Sequence, residues 1–508
     1  STHKCVTSDT LVLTSKGIKA IEDLFHDANK DTDTMVYNGH YFETPRNFVK
    51  NIPLPCKAIT LKNGATITGT LEHGLTTINK DGKLSRVNIE ELNVGDWVGL
   101  RIGANVYGDK VDLNEYNILR DGRENQNIII PMMLSEDLAT FLGYICADGT
   151  VYKSGFRFAK RNEEVIDYII GVAKKEFNAN SKKYYKIEKS GGKNGAWYGE
   201  INSTGLSKWM LSLGGLSPKN KYVPNCILEA PKNIQCKFLK GLFEDGTVNI
   251  KNGKFDHIEF VSTSRKCIYQ VQNMLLNIGI ISYVKKYSRK SGHCAYHLYI
   301  YRKDAIKYRD NIGFISFDKQ KRLNDYLINN DSIKSSDNVY VPNIKEMCAS
   351  KLLNENVDLS SSTKTALYYF TDKMLTRDMT MRIATEIKDC NKELSDYLYC
   401  LSNDFIFYPI SNIEDCVEET YCFEMPSTHQ FVQNGFMGWN CQGSQAKAII
   451  ALISPEHQTL LSRNLAYVEF SRAREMLIIL SNSSILNHAL QIQENKQRNT
   501  WLGEILNE

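Results

Sequence analysis

Asp148 and Asp245 each end an apolar helical run, each is followed by Gly-Thr-Val, and they lie 97 residues apart. A lysine trails each at a similar offset: Lys221 lies 73 residues past Asp148, and Lys321 lies 76 past Asp245, with Lys219 and Lys319 as the alternative pair. Matching offsets mark an internal repeat. Basic clusters occur in both copies. Lys174 to Lys193 holds seven lysines against two glutamates, with Tyr184 and Tyr185 between them, and Lys285 to Lys290 reads Lys-Lys-Tyr-Ser-Arg-Lys. Such clusters attract phosphates and, carried on strands, reach the major groove; either one alone is as readily a solvated face. The thirteen cysteines are odd in number, scattered and without a CxxC pair. That argues against a disulfide scaffold or a zinc ribbon. Most fit as buried small hydrophobes. Cys5 and Cys441 stand where a thiol nucleophile is useful.

These groups must be positioned by different kinds of element. Thr10 to Thr14 alternates like a strand, and turns at Ser15-Lys16-Gly17, Lys62-Asn63-Gly64 and Lys80-Asp81-Gly82 space further short strands. The texture is that of a compact β-domain other than a sandwich. From about Pro131 it becomes helix, strands, helix, repeated. Ser135 is the expected cap of the first helix, and Pro231 the expected first helical residue of the second. Residues 325–404 are polar and helical in pattern, with no motif. β-texture returns at Phe405 to Phe436, and the pattern changes again from Gln442.

With 508 residues, 42% hydrophobic and 24% charged, the chain has the composition of two to four globular domains. A net charge of +4 neither requires nor excludes nucleic acid. No run of eighteen apolar residues occurs, and Ser1-Thr2-His3-Lys4 lacks a signal-peptide core. The expectation is a cytoplasmic chain of phage or prokaryotic type without a membrane partner.

Several of these segments, read together, match a known pattern. Cys5-Val6-Thr7-Ser8-Asp9-Thr10, the Thr70-Leu71-Glu72-His73 block, Thr428-His429-Gln430-Phe431-Val432-Gln433-Asn434-Gly435 and the Asn440-Cys441 junction resemble an intein. The repeated apolar helices ending in Asp-Gly resemble a LAGLIDADG homing endonuclease carried inside it. Joining Lys4 to Cys441 gives STHK–CQGSQ, which resembles a motif of RecD- or Dda-like superfamily 1 helicases. Tyr467 to Arg474, YVEFSRAR, resembles another motif of the same helicases. Two unrelated pattern sets thus agree on one excision.

The resemblance implies a mixed α/β multidomain chain. An all-β, horseshoe-like splicing (Hint) domain is split by an α+β LAGLIDADG pseudo-dimer of αββαββα repeats, and a small α/β helicase C-terminal fragment follows. The expected boundaries are 1–4 for the N-extein, 5–125 and 405–440 for the two halves of the splicing domain, 126–330 for the endonuclease, 331–404 for a helical region of unknown role, and 441–508 for the C-extein.

The family's roles map as follows. Cys5 attacks the Lys4 carbonyl, His73 protonates the leaving amine, and Thr70 holds the scissile carbonyl. Cys441 accepts the acyl group, and Asn440 cyclises to release the insert. Trp439 stands where the family has His, and indole cannot shuttle a proton. His429 is the substitute, with Cys422 modulating the branch step. Splicing needs no cofactor. In the endonuclease, Gly143 and Gly241 allow close helix packing. Asp148 and Asp245, with Glu244 as the alternative, hold Mg²⁺, which suits hard oxygen ligands. Lys221 and Lys321 polarise the site. The second motif is one residue short, which turns Asp245 by about 100° on an α-helix. Expected partners are double-stranded DNA at a homing site and no other subunit, the insert being a monomer with internal pseudo-twofold symmetry. Single-stranded DNA and ATP belong to the complete helicase alone, since no GxxxxGK[ST] loop is present here. Competing readings are a splicing element whose endonuclease only binds DNA, a helicase fragment with an inert insert, and a hedgehog-like autoprocessing domain, against which Asn440-Cys441 argues.

Overall fold

In a computed structural model, residues 4–28, 33–116, 127–187, 195–217, 220–288, 294–328, 339–354, 357–368, 374–439, 446–453, 473–482 and 484–487 are described. The chain divides into two compact units. One is His3–Asn440; the other combines Ser1–Thr2 with Cys441–Glu508. The described part of the second unit is a parallel strand pair, Ala446–Ile453 with Ala473–Ser481, and a helical turn at 484–487. No helix among the described residues is long and apolar enough to cross a membrane.

The larger unit opens with a sheet of thirteen strands among the described residues, ten before residue 102 and three after 404. The strand Phe405–Glu424 is its seam. It pairs antiparallel with Arg46–Leu61 (Cys416↔Cys56), with Trp97–Arg101 (Leu100↔Ile406) and with Val6–Thr7 (Val6↔Tyr421). Val6, Ile59, Ile67, Leu75, Val98, Leu100, Ile406, Tyr421, Phe431 and Phe436 fill one core from both ends of the chain. Everything from 103 to 404 is therefore an excursion from a sheet that neither end completes alone.

Within the excursion the repeat is explicit. The first copy runs helix Glu136–Asp148, strands Thr150–Tyr152 and Gly155–Lys160, helix Glu163–Phe177, strands Lys182–Ile187 and Gly195–Ile201, and helix Thr204–Ser212. The second runs Lys232–Phe243, Thr247–Lys251, Lys254–Ser262, Arg265–Ile278, Tyr283–Ser288, Cys294–Tyr301 and Arg302–Asn311. Each copy builds a four-stranded antiparallel sheet. Ser135 caps the first helix, accepting from Leu138 N at 3.0 Å. Pro231 is itself the cap of the second, one position earlier than the sequence suggests.

Four helices follow: Ile344–Asn354, Ser361–Tyr368, Arg377–Glu386 and Lys392–Asn403. This segment braces the thirteen-stranded sheet. Tyr397 Oη accepts from Leu84 N at 2.9 Å and donates to Gly82 O at 2.8 Å, and Asn343 Nδ2 donates to Ile78 O at 3.0 Å. The repeat also docks on that sheet. Asn277 exchanges two hydrogen bonds with Val106, Gln272 donates to Asn63 O, and Tyr283 Oη meets Tyr408 Oη at 2.9 Å.

Candidate functional site

Two separate centres emerge. The first surrounds the Lys4–Cys5 peptide. Cys5 is 2% exposed. Its N–H donates to Thr70 Oγ1 at 3.0 Å, and its carbonyl accepts from Thr70 N at 3.0 Å. The Lys4 carbonyl accepts from Cys422 Sγ at 3.3 Å. Thr70 thus grips the Cys5 amide nitrogen and the following carbonyl, while Cys422 Sγ donates to the Lys4 carbonyl itself. Cys422, expected at the branch step, lies against the Lys4 carbonyl.

The groups come together through strand register. Val6 pairs with Gly69 on one side and Tyr421 on the other, so Thr70 and Cys422 flank the same peptide. On Sγ itself the structure places a residue that sequence reading missed. Asn51 Nδ2 lies 3.2 Å from Cys5 Sγ and 3.4 Å from Thr420 Oγ1. No local pattern announces Asn51; only its pairing opposite Thr420 brings it there.

His73 is fully buried, and its ring is hydrogen-bonded through Nε2 to Gln433. Burial lowers its pKa to about 4, with the Lys4 backbone opposing and the Arg86 charge assisting. It rests neutral at pH 7. A side chain at Gly438 would put Cβ 1.7 Å from Gln433 Nε2 and 3.1 Å from His73 Nε2, so a larger residue there would push Gln433 off His73. His73 therefore lies between Lys4 and the strand Phe436–Trp439. Trp439 Nε1 donates to Thr76 Oγ1 at 3.1 Å, which commits the indole to a structural bond.

His429 sits in the left-handed region at φ +55°, half-buried, with Nδ1 unbonded. Non-glycine residues hold such a conformation only where their surroundings impose it. Glu43 imposes it here. Its carboxylate accepts from Ser427 N at 3.0 Å, Thr428 Oγ1 at 2.7 Å and Asn38 Nδ2 at 2.6 Å. Burial would raise the Glu43 pKa, but these donors outweigh it and hold the pKa below the usual range. Asn440 and Cys441 lie outside the described residues, as do Gln442, Gly443, Arg472 and Lys219.

The second centre is where the two motif helices touch. Gly143 and Gly241 are obligatory there. A Cβ on Gly143 would lie 2.0 Å from Phe238 O, and one on Gly241 would lie 1.9 Å from Thr140 O. Past the glycines, Lys221 Nζ donates to Ala147 O and Gly149 O, each at 3.0 Å. Lys319 Nζ donates to Glu244 O and, at 2.8 Å, to Gly246 O. Asp148 and Asp245 each sit between such a pair of carbonyls and are therefore equivalent. The lysine of the second copy is Lys319; Lys321 is exposed on the helix Phe317–Ile328.

The missing residue is absorbed without the expected rotation. Glu244 N, Asp245 N and Gly246 N bond three residues back, to Gly241, Leu242 and Phe243. Four steps of such a tightened turn cover about 480° and about 8 Å, against about 500° and about 7.5 Å for five α-helical steps. Asp245 accordingly comes near enough to raise the Asp148 pKa. Burial is the larger cause, and Lys160 and Lys221 oppose it; the result is about 6. Glu244 is excluded as the second acid. It is buried, accepting from Ile315 N at 3.0 Å and Ser316 N at 3.1 Å and pairing with Lys319 at 3.2 Å. Lys160 Nζ, 2.9 Å from Asp245, is a further charge that sequence reading missed.

Two carboxylates brought close enough for one to raise the other's pKa are a hard-oxygen donor set, and such ligands, few in number, suit Mg²⁺ when phosphate completes the shell. Among the described residues no group of three or more His, Cys, Asp or Glu gathers to hold a metal alone.

The sheets beyond the acids carry aromatic and charged faces. In the first, Tyr184 stacks on Tyr198 at 5.4 Å, and Lys183 lies 4.7 Å over Trp197. In the second, His297 Nδ1 lies 2.7 Å from Glu259, and Tyr287 Oη meets Tyr299 Oη at 3.3 Å. Part of both basic clusters lies outside the described residues.

Residues 233–313 match the family model for a LAGLIDADG-like domain. The chain carries a LAGLIDADG-like domain. It is also similar to the replicative DNA helicase DnaB of Synechocystis, 24% identical over 492 residues that cover 89% of this chain and 51% of that protein. The chain thus spans about half the length of that curated relative. It is 24% identical over 311 residues to the ribonucleoside-diphosphate reductase NrdEB subunit alpha of Bacillus subtilis, covering 56% of this chain and 26% of that one. Among solved structures, I-DmoI in complex with DNA and Mn aligns with a TM-score of 0.27 and 19% identity, over 35% of this chain and 97% of that chain. The helicase relative is of the DnaB type, where the flanks suggested a RecD- or Dda-like protein.

Proposed function

We propose that residues 5–440 are an intein that excises itself and joins Lys4 to Cys441, and that its LAGLIDADG-like part is a metal-dependent homing endonuclease acting on double-stranded DNA. One observation carries the splicing half: a single peptide, Lys4–Cys5, is held by Thr70 on its nitrogen side and Cys422 on its carbonyl, with a buried neutral imidazole alongside. An ordinary structural peptide has no need of that set. Similarity to a helicase and to a reductase, whose names denote unrelated activities, is what an element moving between host genes leaves behind.

The chemistry follows from the geometry. The Cys422 thiol polarises the Lys4 carbonyl, and Cys5 Sγ adds to it. His73, neutral at rest, takes the proton that leaves Cys5 Sγ and delivers it to the Cys5 nitrogen as the C–N bond breaks, giving a thioester. Cys441 takes over the acyl group. Asn440 cyclises on its own carbonyl, and an S-to-N shift leaves a normal peptide bond. With Trp439 bonded to Thr76, His429 is the proton carrier available to the Asn440 step. In the endonuclease, Asp148 and Asp245 would hold Mg²⁺, which supplies Lewis acidity and an activated water at phosphate. Lys221 and Lys319 fix the carbonyls on either side of each acid and so orient the acids.

The host flanks are read as helicase, on STHK–CQGSQ, YVEFSRAR and the DnaB similarity. Two assays test the proposal. Dithiothreitol added to an Asn440→Ala, Cys441→Ala variant should release residues 1–4. A duplex encoding the joined junction should be cut with Mg²⁺ and left intact with EDTA. Absence of the first defeats the splicing reading, and binding without cutting would leave a DNA-binding insert.

A further inference from the structure

The splicing chemistry above leaves the donor on the nucleophile unused. Asn51 lies half-buried on the strand Arg46–Leu61, opposite Thr420. Its Nδ2 carries two hydrogens and has two partners, Cys5 Sγ at 3.2 Å and Thr420 Oγ1 at 3.4 Å. Thr420 is fully buried, so the amide is held from behind and aimed at sulfur. Sulfur needs the help. Cys5 is 2% exposed, so little water reaches its sulfur and a hydrogen-bond donor must come from the protein. A neutral thiol accepts a hydrogen bond weakly and a thiolate strongly, so a fixed N–H donor favours the reactive form.

We propose that Asn51 is a catalytic residue of the first step, stabilising the Cys5 thiolate and aiming it at the Lys4 carbonyl. The step is an isomerisation and balances internally. The Sγ–C bond forms, the C–N bond breaks, and the proton that leaves sulfur ends on the Cys5 nitrogen. The inference rests on the intein reading, and the test separates the two.

The experiment follows dithiothreitol-induced release of residues 1–4 from pH 5.5 to 9 in the full chain carrying Asn440→Ala and Cys441→Ala. If this parent releases nothing, the intein reading has failed and Asn51 with it. If it cleaves, Asn51→Ala should be about tenfold slower at pH 7, with the acid limb moved up by about one unit, since one unit is tenfold in thiolate. Asn51→Asp, close to isosteric, replaces the donor by a carboxylate and should move the limb further. Iodoacetamide labelling of Cys5 should show the same order of shifts, a readout that a merely structural role would not move. An unchanged limb in Asn51→Asp, or an Asn51→Ala rate reduced equally at every pH, overturns the proposal.

Discussion

Gly241→Ala tests the contact between the motif helices most sharply, because two effects of known sign oppose each other. Helix propensity favours alanine by about 1 kcal/mol. Sterics oppose it. The new Cβ would sit 1.9 Å from Thr140 O and 2.8 Å from Tyr144 N, both backbone atoms of the facing helix, where ordinary contact begins near 3.4 Å. No side chain can swing away, so the helices must part by about 1.5 Å, at the upper end of overpacking penalties, about 3 kcal/mol. The net loss is about 2 kcal/mol, or roughly 5 °C of melting temperature for an element of this size. Asp245 follows Gly241 by four residues and shifts with it relative to Asp148, and a displacement of about 1 Å costs about 100-fold in rate. Calorimetry and cleavage of the joint duplex measure the two effects. Thiol-induced release of residues 1–4 should persist, because the contact lies outside the thirteen-stranded sheet. Wild-type melting and wild-type cleavage would refute the close packing.

Other outcomes follow from the two centres. Asp148→Asn removes a charge that burial and Asp245 disfavour, so it should raise metal-free stability, seen in urea titration, while abolishing cleavage; lowered stability contradicts the assignment. His73 has a folded pKa of about 4, below its unfolded value of about 6.5. Its stabilisation is complete above the unfolded value and is lost as pH falls toward 4, up to about 3 kcal/mol. His73→Gln should flatten that limb of a stability–pH curve and block release of residues 1–4; an unaltered limb contradicts the burial argument. His429→Ala should permit thioester formation but prevent release at Cys441, followed by gel and mass; normal release removes His429 from the account. Lys319→Met should impair cleavage and Lys321→Met should not; equal effects would undo the corrected assignment.

The parts readable from sequence were those with local signatures. Asp148 and Asp245 announced themselves through their helix ends, and Cys5, Thr70 and His73 through order and spacing. What escaped was set by register between distant strands. Asn51 reaches Cys5 because it pairs opposite Thr420, and Cys422, itself named from the sequence, reaches the Lys4 carbonyl because Val6 pairs with Tyr421. The Lys319 assignment and the position of Asp245 depended on a tightened last turn, which residue counting on an ideal helix misplaces. The role of the region between 331 and 404 lies in contacts such as Tyr397 on the Gly82 turn, and polar helices carry no pattern for those.

Intact-mass spectrometry of the freshly expressed chain, under reducing and denaturing conditions, tests the central claim. The expected result is loss of the full-length mass and two new species: residues 5–440, lighter by one water than the free acid because Asn440 ends as a cyclic imide, and residues 1–4 joined to 441–508. Persistence of the full-length mass alone, in the wild-type chain and in Trp439→His, would contradict self-excision.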